Sequence, residues 1–311
     1  MDFTEQVSQL KWFHSIDFGD FASSGRFPKG DPQNYTLYGT FELLQYLDLS
    51  KANVLDLGTY DGIVAFGAHK LGAASVHAVD TFENAAFHLA RKVLGYEDDI
   101  VYRPGIQVRD LPEQFDNKQF DVIVCAGILY HMLHPMQAFT DCRKVLGDGG
   151  ILILETPYEH RRDDAVLIFN GVEKVVNEPY TYFVPTLAAL KGMASLAGFQ
   201  LIATRVLTGP RRVTLMLQAV ERDQLIADEN VAEFTKQMLK RDTCDDSFRF
   251  KNIEATKRPS PILIDPSTRI QAYREIDRNT EDVKFPHHPP TDKVSYGSTR
   301  FETAKGNVKV L

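Results

Sequence analysis

Two aspartates and two glycines in one short stretch, Asp56-Leu-Gly58-Thr-Tyr-Asp61-Gly62, are the residues of this sequence best placed to hold a ligand. They follow a short apolar run, Val54 to Leu57, and precede Ile63, Phe66 and Leu71 at helical spacing, so the stretch reads as strand, glycine turn and helix. Glycine belongs where the backbone takes positive φ or where a ligand comes too close for a Cβ. A second predicted strand, Ser75 to Val79, ends in Asp80. An acidic residue at that strand tip, roughly 20 positions past the glycine turn, suits hydrogen bonds from ribose hydroxyls. The predicted chemistry is the binding of a nucleoside. Dinucleotide sites use three glycines to admit a pyrophosphate. Asp56 and Asp61 would repel a pyrophosphate and favour a ligand carrying an ammonium or sulfonium.

The stretch resembles motif I of the class I S-adenosylmethionine (SAM) dependent methyltransferases, with Tyr60 a departure from the usual pattern. The resemblance implies SAM as cofactor, held by Asp56, Gly58, Asp61 and Gly62, with Asp80 matching the acidic ribose ligand. Asp110, after a third strand predicted near Ile106 to Val108, matches the position that meets the adenine amino group; a surface-turn aspartate is the competing reading. Four further blocks appear in order: Gly127-Ile-Leu-Tyr-His, Leu154-Glu-Thr, Tyr182-Phe-Val-Pro-Thr and Pro210-Arg-Arg-Val. Together they resemble, over roughly residues 12 to 220, the branch containing the bacterial tRNA wobble-uridine carboxymethyltransferases and their small-molecule relatives. In those tRNA enzymes a Lys, a Tyr and an Arg bind the carboxylate of a modified SAM, and the matching residues here are Lys29, Tyr130 and Arg212. A phenol and a guanidinium fork make a sensible carboxylate clamp. With ordinary SAM the same clamp could hold the carboxylate of the acceptor.

Methyl transfer from a sulfonium is an in-line displacement, so the protein mainly aligns nucleophile, methyl and leaving sulfur. An acceptor that carries a proton also needs a base. His14 and His131 are the candidates, beside Tyr130 in the catalytic set, and the competing reading of each is structural. A thioether acceptor needs no base. The carboxylate clamp and an acidic catalytic domain point to a small carboxylate-bearing metabolite, an amino acid fitting best, and a resemblance to the methionine S-methyltransferases of bacterial dimethylsulfoniopropionate synthesis implies S-methylation of methionine as the favoured case. Methylation of tRNA and a non-catalytic nucleotide-sensing role are the alternatives.

The elements that must position these residues alternate between strand and helix, which implies an α/β fold with a mostly parallel, Rossmann-like sheet and helices on both faces. Thr186 is placed to cap a helix through Leu187, Leu190, Met193 and Leu196 that stops at Gly198, and two strands follow, Gln200 to Val206 and Val213 to Val220. Three parts are expected: a segment over residues 1–35 that could close as a lid, a SAM-binding domain over 36–220, and a helix with an extended arm over 221–311 that wraps the core or a neighbouring subunit. Taken as it stands, the chain would lack the long segment that precedes the core in the tRNA-modifying members.

Composition narrows the partners. The 311 residues carry 35 Lys and Arg against 42 Asp and Glu, a net charge of −7, and the excess lies wholly before residue 220. Nucleic-acid binding usually needs the opposite bias, so a nucleic-acid partner is not expected. No apolar run is long enough for a membrane span, and the acidic N-terminus lacks the features of a signal peptide, so a cytoplasmic location is expected. Cys125, Cys142 and Cys244 have no metal-ligand spacing, and His287-His288 lacks partners, so no metal is expected.

Overall fold

The computed structural model describes residues 2–28, 31–115, 120–171, 176–207, 211–241 and 309–310. Lys29, Cys244, His287 and His288, and nearly all of the predicted arm, lie outside them. An eight-stranded sheet forms the centre, in the order β10-β8-β9-β5-β4-β1-β2-β3. Its members are β1 (Asn53–Leu57), β2 (Ser75–Asp80), β3 (Ile100–Pro104), β4 (Phe120–Ala126), β5 (Leu146–Pro157), β8 (Phe199–Leu207), β9 (Arg212–Ala219) and the two-residue β10 (Lys309–Val310). Strands β1 to β5 pair in parallel, while β9 runs antiparallel to both β5 and β8. A separate two-stranded sheet joins β6 (Leu167–Phe169) to β7 (Phe183–Pro185).

Both faces of the central strands are buried, which is why Val54, Leu55, Val122, Ile123, Val124, Ile151 and Leu152 form near-continuous apolar runs. One face packs on α2 (Tyr38–Leu44), α3 (Ile63–Lys70) and α4 (Ala85–Leu94), and the other on α5 (Leu111–Gln114), α6 (Pro135–Val145) and α7 (Leu187–Leu196). Thr186 caps α7, its hydroxyl accepting from the Ala189 N–H. Two short helices, α8 (Arg222–Ala227) and α9 (Glu233–Arg241), close a small cluster around Val220, Leu225, Val231 and Leu239. Among the described residues no helix is long and apolar enough to cross a membrane.

The third strand corrects the sequence-based expectation. It spans Ile100–Pro104 rather than 106–108. Gly105, at φ +83°, turns the chain off the sheet edge, and the Ile106 N–H then donates to the Asp80 carbonyl. Ile106 and Val108 are buried beneath the turn, so their alternation imitates a strand. The true strand lies at the edge with only one of its five residues buried, and so has no apolar run to announce it.

The N-terminal stretch is anchored to the core. After α1 (Phe3–Gln9), Trp12 and Ile16 are buried in the cluster that also holds Phe41, Leu44 and Phe66. The Trp12 indole N–H donates to the Val7 carbonyl, and the chain doubles back through Ser23 N–H to Ile16 carbonyl and Arg26 N–H to Phe13 carbonyl bonds. Residues 12 to 27 thereby lie beside the glycine turn that follows β1.

Candidate active site

The ends of β1, β2, β4 and β5 open into one cavity of about 970 Å³, whose lining includes Asp56, Gly58, Asp80, Tyr130, Glu155 and Arg212. A crevice at the carboxyl ends of parallel strands is where open α/β sheets hold ligands, and this volume suits a nucleoside with a second small molecule. The backbone explains why glycine is used. Gly58 sits at φ +72°, and a Cβ there would lie 2.1 Å from Cδ1 of Ile128, which also lines the cavity. Tyr60 takes a left-handed conformation without being glycine, at φ +52°, and its N–H is held by Asp80 Oδ2 at 2.8 Å. Asp80 Oδ1 accepts from the Phe82 N–H at 3.1 Å. A carboxylate offers about four lone-pair sites, so Asp80 keeps acceptor capacity toward the cavity.

Asp56 is buried, and burial pushes its carboxyl up to about 7 even though Oδ2 accepts from the Ala65 N–H at 3.1 Å. Such a group favours a cationic ligand, which would restore the charged form.

A charged quartet that also lines the cavity is assembled from four separate parts of the chain. Arg212 opens β9, Glu155 lies near the end of β5, Tyr130 follows β4 in a 3-10 turn, and Glu178 belongs to the loop before β7. Arg212 Nη1 lies 3.5 Å from Glu155 Oε1, and Nη2 lies 3.4 Å from Glu178 Oε2 and 3.5 Å from the Tyr130 hydroxyl. That hydroxyl donates to Glu178 Oε1 at 3.2 Å. Arg212, Tyr130 and Glu155 are all buried. Burial pushes the Glu155 carboxyl up to about 7, with Arg212 pulling the other way. Burial likewise drives the Tyr130 phenol well up, so it stays a donor. For Arg212 burial works against the cation, but Glu155, Tyr130 and Glu178 together raise its pKa.

His14 reaches the cavity from the N-terminal stretch. Its Nδ1 lies 2.6 Å from Asp61 Oδ1, while Asp61 Oδ2 accepts from the backbone N–H groups of Phe13 and His14 at 3.0 and 2.8 Å. Asp61 is fully buried and does not line the cavity: its carboxylate is used up in holding this segment. His131 lies exposed at the rim with Nδ1 3.0 Å from the Tyr180 carbonyl.

Of the residues singled out from sequence, Asp56, Gly58, Asp80, His14, Tyr130, His131 and Arg212 therefore share one cavity, and Asp61, Gly62 and Asp110 stand outside it. Gly62, at φ +95°, begins α3 where a Cβ would meet the rings of Phe66 and Phe87 at 2.5 to 2.7 Å, so packing accounts for it. Asp110 turns back to accept from the Gln107 N–H at 2.9 Å; Val108 and Arg109 face the cavity instead. Glu155 and Glu178 were not singled out. Glu155 had a signal, an acidic residue closing an apolar strand at its carboxyl end. Glu178 had none, because its loop becomes part of the site only through folding. Among the described residues no group of three or more His, Cys, Asp or Glu could hold a metal ion.

A family model described as a methyltransferase domain matches residues 35–204. Among curated relatives, a tRNA U34 carboxymethyltransferase of Campylobacter curvus is 28% identical over 173 residues, covering 52% of this chain and 54% of that protein. One of Campylobacter jejuni is 30% identical over 125 residues, covering 35% and 42%. The chain thus spans about half the length, or less, of the curated relatives it matches. Among solved structures, a Burkholderia thailandensis 1,6-didemethyltoxoflavin-N1-methyltransferase with bound S-adenosylhomocysteine aligns with a TM-score of 0.45 at 17% identity, covering 54% of this chain and 71% of that one. The family model covers more than half of the chain and begins where the core begins, so the chain belongs to the methyltransferase domain family.

Proposed function

We propose that the chain transfers the methyl group of SAM to a small acceptor bearing both a carboxylate and an ammonium, an amino acid. The observation that carries this reading is the quartet of Arg212, Tyr130, Glu155 and Glu178 on the cavity wall. Its contacts of 3.2 to 3.5 Å are loose for charged partners, whose hydrogen bonds close to about 2.7–2.9 Å when fully made. A zwitterion inserted among them would give its carboxylate to Arg212 and Tyr130 and its ammonium to the glutamates. On the cofactor side, Asp80 would accept from the ribose hydroxyls, Asp56 would face the cationic end, and Gly58 would let the ligand lie on the turn. SAM would supply the methyl group when bound; the chain would bind it, align it with the acceptor and exclude water.

S-methylation of methionine is one case of this reading; the contact between Asp61 and the cavity-lining His14 favours instead an acceptor atom that carries a proton. The second reading, tRNA modification, is supported by the printed names of the curated relatives. The net charge of −7 weighs against it. The test is to incubate the full chain with SAM and either free amino acids or bulk tRNA, with products read by mass spectrometry. A methylated amino acid and unmodified tRNA is the expected result. Methylated tRNA with amino acids untouched would overturn the proposal. Calorimetry with SAM on wild type and Asp80→Ala checks the cofactor side, where equal affinity would remove Asp80 from the site.

A further inference from the structure

We propose that His14 is the general base of the transfer, that Asp61 is its positioning residue, and that the atom methylated therefore carries a proton: an amine or hydroxyl rather than a thioether. The inference rests on the amino-acid reading for the acceptor class, and on the geometry of the pair for the base.

Asp61 is fully buried and spends both oxygens on one segment: Oδ2 on the N–H groups of Phe13 and His14, Oδ1 on the His14 ring. A carboxylate can only accept, so the 2.6 Å contact places a proton on Nδ1. With its one proton on Nδ1 the ring would present a bare Nε2, which makes no hydrogen bond among the described residues, and His14 lines the cavity together with Asp56, Gly58 and Arg212. Three hydrogen bonds to one rigid carboxylate fix the ring's height, tautomer and direction, which positioning a base requires. The packing supports the same placement, because the Phe13 ring meets His14 at 4.9 Å and Tyr60 of the glycine turn at 5.5 Å between centroids. His131 is the rival and is less well equipped. Its Nδ1 meets a peptide carbonyl, which sets the tautomer but brings no negative charge to stabilise an imidazolium.

In the transfer, the lone pair of a hydroxyl oxygen or of a neutral amine nitrogen, distinct from the ammonium held by the glutamates, would form the bond to the methyl carbon. The carbon–sulfur bond breaks with its electron pair left on sulfur, and the acceptor proton passes to Nε2. The positive charge lost from the sulfonium reappears on the imidazolium, beside the Asp61 carboxylate. A thioether acceptor would carry no proton to give up, and Nε2 would have none to take.

The test uses the full chain with SAM and a pool of the proteinogenic amino acids, with the methylated atom located by tandem mass spectrometry. Expected are N- or O-methyl products whose formation falls about 100-fold in His14→Gln, with calorimetric SAM affinity unchanged. S-methylmethionine formed at a rate insensitive to His14→Gln would overturn the base while leaving the amino-acid reading intact. Loss of SAM binding in His14→Gln would reassign the ring to the cofactor and also overturn it. Absence of any amino-acid product would count against the acceptor class alone, and the imidazole nitrogen spectrum then decides. A proton on Nδ1 in the wild type, redistributed toward Nε2 in Asp61→Asn, supports the pair; a proton on Nε2 in the wild type overturns it.

Discussion

The cavity has two charged walls that are built differently. On the N-terminal side Asp61 holds His14 and its segment through three contacts of 2.6 to 3.0 Å, none of them available to a ligand. On the other side Arg212 is shared between Glu155, Glu178 and Tyr130 at 3.4 to 3.5 Å. Short and saturated contacts define one geometry, whereas long and shared ones can exchange a partner for a ligand at small cost.

The sharpest way to break the contrast is Arg212→Ala. Removing the cation leaves Glu155 buried without its partner, and about 3 to 5 kcal/mol of stability should be lost in denaturant unfolding. A loss under about 1 kcal/mol would mean that the quartet is already solvated and no wall at all. Next in size is Asp61→Ala, which orphans three donors, two of them backbone; about 2 to 3 kcal/mol is expected for these charge-assisted bonds. Limited proteolysis should then cut the chain near Phe13, with α7 untouched.

The pH dependence bears on the Arg212 side of the cavity. The Glu155 carboxyl is raised from 4.5 to about 7, so the folded state keeps a proton that the unfolded chain gives up. Its contribution to stability is fully present below the unfolded value and is lost as pH rises through the folded value near 7. Asp56 acts in the same direction. Glu155→Gln should flatten the slope of unfolding free energy between pH 5 and 7; an unchanged slope would exclude Glu155 as its source. Tyr130→Phe, which removes a hydroxyl but keeps the ring under Arg212, should cost about 1 kcal/mol and raise the acceptor KM while leaving SAM affinity alone. The smallest change in stability is expected for Glu178→Gln, under about 1 kcal/mol, since its side chain is 27% exposed. If the quartet exchanges partners as described, that variant should alter acceptor affinity far more than stability.

Much of the architecture was legible because it follows from local pattern. The apolar runs of β1 and β4, the Thr186 cap and the glycines at Gly58 and Gly198 each state their own role within a few residues. Where a strand lacked an apolar run, as in β3, the reading slipped by several residues onto Ile106 and Val108. The site was legible where a residue sits at a strand tip, as Asp56 and Asp80 do.

The sequence by itself determined the alternation of strands and helices, the glycine turn after β1, and a methyltransferase resemblance carried by short motifs, because each depends on neighbours a few positions away. Which way a side chain points depended on distant parts of the chain. Asp61 and Gly62 lie in the same turn as Asp56 and Gly58, yet Asp61 is claimed by backbone 47 and 48 residues earlier, and Gly62 by the rings of Phe66 and Phe87. Asp110 turned back onto its own loop, and Arg212 acquired two glutamates from β5 and from the loop before β7. Tertiary structure alone decided these, since the partners that satisfy a buried charge are set by which elements the sheet order brings together, and that order is not written in any local run of residues.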